Sequence, residues 1–316
     1  MHEVLQYDEF RSYVREQKIF KWQEKWSFPN QPVNFIIRTL QTGISVNITG
    51  ESGVGKSFFC KNALPEILSE GTGRPYRLLY LEPHRFTRTE ELTEVLYFDR
   101  RLIYVPSEHL QMIEHNLKEG AATLIVIDEL SRNDYRAQNI IQPFFDIGSK
   151  TIPLPHHAEP FEMPADTRLV SIGNPSTYLG TFNLIDSIND RVDSIEWPYP
   201  TRELAIIQMM DVDIGFVPFK HDINGRKLSC RKFSKHMATA LVNAIWPFND
   251  LPARNLSIRD LAKMKKDIVV LEDPDVIIHA IMEKLSRKIQ KQNSELKASL
   301  YEIQDRLEDT LKRVLQ

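Results

Sequence analysis

Cysteine is nearly missing from this chain. Cys60 and Cys230 are the only two in 316 residues, far apart and without a C-x-x-C pair. That fits a reducing compartment better than a disulfide framework. Long apolar runs are missing as well. No window approaches the roughly 18 apolar residues of a membrane span. The opening stretch MHEVLQYDEFRSYVREQ is charged throughout, with no apolar segment of signal-peptide length. The expected location is therefore the cytoplasm, without a membrane partner. Neither charge sign dominates: 40 Lys and Arg against 43 Asp and Glu leave a net charge of -3. Bulk composition thus calls for neither nucleic acid nor an acidic membrane surface. No repeat and no low-complexity segment is visible.

What is present begins with GESGVGKS at Gly50 to Ser57. Gly50, Gly55, Lys56 and Ser57 satisfy G-x-x-x-x-G-K-[ST], and Gly53 adds a flexible point within the loop. Such a loop needs glycines because its backbone N–H groups turn inward toward phosphate oxygens, which side chains would obstruct. Lys56 supplies a compact positive charge for the β- and γ-phosphates, and the Ser57 hydroxyl suits Mg²⁺. Ile44 to Thr49 alternates like a strand and Ser57 to Leu68 reads as a helix, the context a phosphate loop requires. Cys60, on that helix, reads as a small buried residue.

From about residue 31, helix and strand patterns alternate, the mark of an α/β fold: a parallel sheet with helices on both faces. The strand candidates are Ile44 to Thr49, Tyr76 to Glu82, Thr123 to Asp128, Thr167 to Ile172 and Ser194 to Trp197. Ser107 to Lys118 and Asp134 to Phe145 have helical spacing. Lys150 to Pro164, with four prolines and two His, reads as an extended loop or hairpin. His156, His157, Glu159 and Glu162 lack the spacing of a metal site. After residue 200 the pattern becomes all-helical: Arg202 to Met210, Lys232 to Trp246, Ser257 to Leu271 and Pro274 to Arg287. Four regions follow: an N-terminal extension (1–30) with two aromatic clusters, an α/β domain (31–201), a small helical lid (202–285) and a helical tail (286–316). In the tail, heptad spacing from Asn293 onward suits either an intermolecular coiled coil or a helix lying on its own protein.

A phosphate loop needs a carboxylate partner. The buried run Leu124 to Ile127 ends in Asp128-Glu129, 72 residues after Lys56 (128 - 56), so two acids emerge at the carboxyl end of a strand. Asp128 would hold Mg²⁺, and Glu129 would orient the attacking water. The absence of an N-K-x-D string favours ATP over GTP.

With these residues in view, the chain resembles the AAA+ ATPases, and within them the MoxR-like branch, over roughly residues 31 to 285. The resemblance rests on GESGVGKS, then DELSRNDYRAQNIIQPFF with Arg132 after the acids, then SIGNPSTYLG, LIDSINDRV and WPYPTRE, in that order. It implies that Asn174 is a polar sensor helping to position water, and that Arg191 is an arginine finger serving a neighbouring subunit. It also implies that Arg259 is the lid's sensor arginine, with Arg254 and Arg231 as alternatives. The implied assembly is a homo-oligomeric, hexameric ring that remodels or assembles a protein partner, such as a von Willebrand factor A domain protein. Ser52 and Ser57 depart from the Pro and Thr usual in that branch, without loss of a Mg²⁺ ligand. GESG-type loops also occur in enhancer-binding activators, but no GAFTGA-like string lies between Glu82 and Thr123. Val95 to His109 stands where the branch carries an insert, either substrate-facing or a plain hairpin. The alternative function is a nucleic-acid-associated motor or defence ATPase acting on DNA or recruiting a nuclease, with Arg85, Arg88, Arg100 and Arg101 as candidate contacts.

Overall fold

Short runs of β-branched and other apolar residues become the inner strands of a five-stranded parallel sheet, where β7 and β10, covered on both faces, have little use for polar alternation. The computed structural model describes residues 19–23, 26–82, 92–99, 101–146, 150–175, 180–211, 233–246, 257–270, 274–288 and 294–315. Phe10, Tyr13, Arg85, Arg88, Arg100, Arg231, Arg254 and Asn293 lie outside the described residues. The chain divides into two units, one built on residues 29–198 and the other on residues 21–28 with 199–316. Among the described residues, no helix is long and apolar enough to cross a membrane.

A short hairpin of β1 (Ile19–Trp22) and β2 (Trp26–Pro29) precedes helix α1 (Asn30–Gln41). Then come β3 (Ser45–Thr49), α2 (Lys56–Asn62), α3 (Leu64–Thr72) and β4 (Tyr76–Leu81). A hairpin of β5 (Glu94–Asp99) and β6 (Arg101–Pro106) leads into α4 (Glu108–Lys118) and β7 (Ala122–Ile127). After α5 (Tyr135–Ile141), a small hairpin of β8 (Thr151–Ile152) and β9 (Phe161–Glu162) leads to β10 (Arg168–Gly173), α6 (Asp186–Asn189) and β11 (Val192–Glu196).

The five-stranded sheet has the order β11-β3-β10-β7-β4, every pairing parallel. β7, at its interior, is buried along its whole length. One face of the sheet, with Leu79, Leu81, Ile125, Ile127 and Leu169, packs on Leu110 and Ile113 of α4, Ile141 of α5 and Phe145. Residues alternate in direction along a strand, so Leu78, Val126, Val170 and Ile172 point the other way. α2 and α3 lie against β10 and β4, and α1 against β3 and β11.

Two expected helices are shorter than their patterns. The stretch from Ser57 breaks at Ala63, where φ is -102°, and restarts as α3 with Pro65 in its first turn. Proline has no N–H to continue the first helix but suits the start of the second. The helix from Asp134 becomes a 3-10 turn at Gln142–Phe145, which carries Pro143. Asp134 caps it, accepting from Ala137 N at 3.1 Å. The expected Lys150 to Pro164 hairpin forms. His156 Nδ1 lies 2.7 Å from Oε2 of the buried Glu94, and its ring stacks on Tyr104 at 3.5 Å. The Val95 to His109 segment is the β5–β6 hairpin followed by the start of α4.

The second unit contains α7 (Arg202–Asp211), α8 (Lys235–Ile245), α9 (Ile258–Val270), α10 (Pro274–Lys288) and α11 (Ser294–Leu315). Ser257 and Asp260 form a reciprocal cap: Ser257 N donates to Asp260 Oδ2 at 2.9 Å, and Asp260 N donates to Ser257 Oγ at 3.3 Å. α11 packs on α8 and α10, and Ile303, Leu307 and Leu311 are buried with Leu241, Ile245 and Ile281 in one core. Ile303 and Leu307 of the tail's heptad seam are thus buried in its own unit, in a helical core shared with four shorter helices.

Candidate functional site

The candidate site forms where the strand order reverses. From β3 the chain passes to β4 at one edge of the sheet. It returns inward through β7 and β10, then crosses to the other side of β3 as β11. Such a switch point, at the carboxyl ends of the strands, is where open α/β sheets bind ligands. The Gly50 to Ser57 loop springs from that end of β3.

Gly50, Gly53 and Gly55 take φ values of 151°, 83° and 101°, a region that side chains resist. At Gly50 the reason is also spatial. A Cβ there would stand 2.6 Å from the carbonyl oxygen of Trp197. Sequence reasoning assigned all three glycines to phosphate approach, whereas Gly50 also makes room for a neighbouring backbone. Lys56 is 6% exposed, and its Nζ donates to the carbonyls of Gly50 at 2.6 Å and Glu51 at 2.8 Å. Its charge is therefore held inside the loop.

Asp128 follows β7 directly, and two elements converge on it. Ser57 Oγ donates to Asp128 Oδ2 at 2.9 Å, across 71 positions of sequence. The Tyr80 hydroxyl, from β4, donates to the same oxygen. The Glu129 N–H donates to Asp128 Oδ1 at 2.8 Å. Burial first, then the bond to Asp128, pushes the Tyr80 phenol well above its ordinary pKa, so it remains a donor. Lys61 Nζ sits 3.5 Å from the centroid of the Tyr80 ring. Burial likewise raises the Cys60 thiol, with Asp128 adding to the effect and Lys56 opposing it. Cys60 is a fully buried thiol with no role as a nucleophile.

Glu129 adopts a left-handed conformation, φ 56°, uncommon for a residue with a Cβ. Its carboxylate is about half exposed and pairs with Arg132 Nη1 at 3.2 Å. Asn174 lies just past β10, the strand between β3 and β7, and its backbone N–H donates to Ser131 Oγ at 3.1 Å. Ser131 is buried two residues after Glu129, so one side chain ties Asn174 to the turn bearing both acids.

The structure therefore brings Lys56, Ser57, Asp128, Glu129 and Asn174 to one end of the sheet. Arg191 stands elsewhere. β11 pairs with β3 from Val192 opposite Ser45 to Glu196 opposite Thr49, which leaves Arg191 near the amino end. At about 3.3 Å per residue, five residues put it roughly 16 Å from Thr49 along the strand, beyond arginine reach. Nor is Arg191 paired with the flanking Asp190 or Asp193. Its Nη1 donates to the Ser187 carbonyl. Arg259 belongs to the helical unit, exposed on the first turn of α9.

Two participants escaped sequence reading, Tyr80 and Trp197, because strand neighbours distant in sequence bring them to the site. Trp197 follows β11, beside β3. Its backbone N–H donates to the Thr49 carbonyl at 2.7 Å and its Nε1–H to the Val54 carbonyl at 3.1 Å. A tryptophan directly after the edge strand was the available signal.

The oxygen set of Ser57 and Asp128 suits a hard cation such as Mg²⁺, and the loop beside it carries a buried ammonium. Compared with known proteins, the chain matches no family model and no curated protein.

Proposed function

We propose that this chain is an ATP-hydrolysing, Mg²⁺-dependent ring ATPase of the AAA+ type, MoxR-like, that remodels or assembles a protein partner. One observation carries the reading: the hydroxyl after the loop lysine meets, at 2.9 Å, the first of two carboxylates at the end of β7, two strands away. An ordinary glycine turn has no reason to recruit a carboxylate from 71 residues away. The switch-point location supports it as well.

In this reading the backbone N–H groups of the loop and Lys56 bind the β- and γ-phosphates of ATP. Ser57 and Asp128 would hold Mg²⁺, which supplies neutralisation of charge on the phosphate oxygens. Tyr80 fixes the rotamer of Asp128. Glu129, released from Arg132, accepts a hydrogen bond from the attacking water and orients it in line. Asn174, held through Ser131, has an amide that both donates and accepts, which suits it to the same water.

Arg191 lies too far from its own loop to serve it, which supports service to a neighbour's. Mixing Arg191→Ala with Glu129→Gln protein tests this. In a ring some sites then regain both an intact Glu129 and a neighbour's Arg191, and ATP turnover rises above either variant alone. Failure to recover any activity would argue against the shared site and the ring. The implied partner, such as a von Willebrand factor A domain protein, is tested by trapping the ATP-bound Glu129→Gln form and identifying what co-purifies.

A further inference from the structure

Resting on the nucleotide reading above, we infer that Trp197 is the positioning residue of the phosphate loop. It holds the loop open for nucleotide without touching nucleotide itself. Three contacts from one residue define the loop's path. The backbone N–H of Trp197 anchors the Thr49 carbonyl, where the loop begins. Its own carbonyl lies where a Gly50 side chain would go, with a Cβ at 2.6 Å. Its indole N–H reaches the Val54 carbonyl, mid-loop, at 3.1 Å.

The indole is 2% exposed and packs on Phe59 of α2 at 5.2 Å between centroids. It thus holds the loop from beneath while resting on the helix that follows it. The bond to Val54 matters most for binding. With that carbonyl turned down to the indole, the neighbouring peptide N–H groups are left to face phosphate. Loop N–H groups bind ground state and transition state alike, so losing their alignment raises KM and leaves kcat less affected.

The test uses full-length protein. Trp197→Phe keeps an aromatic ring on Phe59 while removing the N–H donor, together with part of the indole's volume. A buried carbonyl left unpaired corresponds to roughly tenfold weaker MgADP binding by calorimetry and a similar rise in KM for ATP, with kcat within about twofold. In the wild type, Trp197 is the one tryptophan of the four that lies in the sheet unit; Trp22, Trp26 and Trp246 belong to the other. MgADP should shift wild-type tryptophan emission, and the shift should vanish in Trp197→Phe. The wild-type measurement stands even if the variant fails to fold. Wild-type binding of MgADP with no emission change, or an unchanged KM in the folded variant, would overturn the positioning role alone. Failure of the wild type to bind MgADP would remove the nucleotide reading together with this inference.

Discussion

Gly50→Ala places one methyl group where the loop meets Trp197, and its cost follows from the structure. The new Cβ would stand 2.6 Å from the Trp197 carbonyl oxygen and 3.3 Å from its Cβ. That carbonyl cannot retreat easily, since the Trp197 N–H is bonded to Thr49 at 2.7 Å and the indole to Val54. Crowding of a packed interior costs about 2 kcal/mol. A side chain at φ 151° adds about 2 kcal/mol of backbone strain. Gly43 is the control. Its φ is 85°, yet nothing lies within 4 Å of its would-be Cβ, so Gly43→Ala costs about 1 kcal/mol of conformation alone. Both substitutions gain equally from a stiffer unfolded chain, and that gain cancels in the comparison. The difference is about 3 kcal/mol, or roughly 6–12 °C in the melting temperature of a unit of this size. Thermal unfolding followed by circular dichroism reads it. Equal melting temperatures for the two variants would refute the packing of Trp197 beneath the loop.

Three further outcomes are expected. Tyr80→Phe should flatten the alkaline limb of the stability curve. The folded-state pKa of Tyr80 is raised, so its contribution is full below the unfolded value of about 10 and is lost as pH rises beyond it. A wild type and variant that lose stability in parallel above pH 10 would exclude that role. Leu307→Ala, at a fully buried position in the helical core, should cost about 2–5 kcal/mol in denaturant unfolding. A cost below about 1 kcal/mol would mean that the α11 seam is not core. Asp128→Asn should weaken the Mg²⁺ dependence of nucleotide binding more than Ser57→Ala does, because a neutral amide attracts the cation far less than a carboxylate. Equal Mg²⁺ titrations of wild type and Asp128→Asn would remove Asp128 from the metal site.

Local pattern was enough for the five strands of the sheet, to within two residues at their ends, and for the motif carriers, though not for the β1–β2 hairpin. β7 reads as LIVI because both of its faces are covered, and Asp128 follows because a strand must end in polar residues where ligands bind. Helix ends were less legible where proline acts twice: Pro65 ends one helix and opens the next, and Pro143 shortens another. Neighbours across the sheet were not legible at all. Tyr80 reaches Asp128 because β4 pairs with β7, with Leu81 opposite Ile127. Trp197 lies under the loop because β11 pairs with β3. Neither adjacency leaves a mark in the spacing of residues along the chain. The close approach of Trp197 to Gly50 also arises from tertiary contact.

The central claim is that the loop, Asp128 and Glu129 form a site that hydrolyses ATP. Phosphate release at saturating MgATP, measured alongside bound nucleotide in Glu129→Gln and Lys56→Ala, tests it most directly. The account predicts turnover in the wild type, nucleotide retained without turnover in Glu129→Gln, and no nucleotide bound in Lys56→Ala. Undiminished hydrolysis in both variants would contradict it.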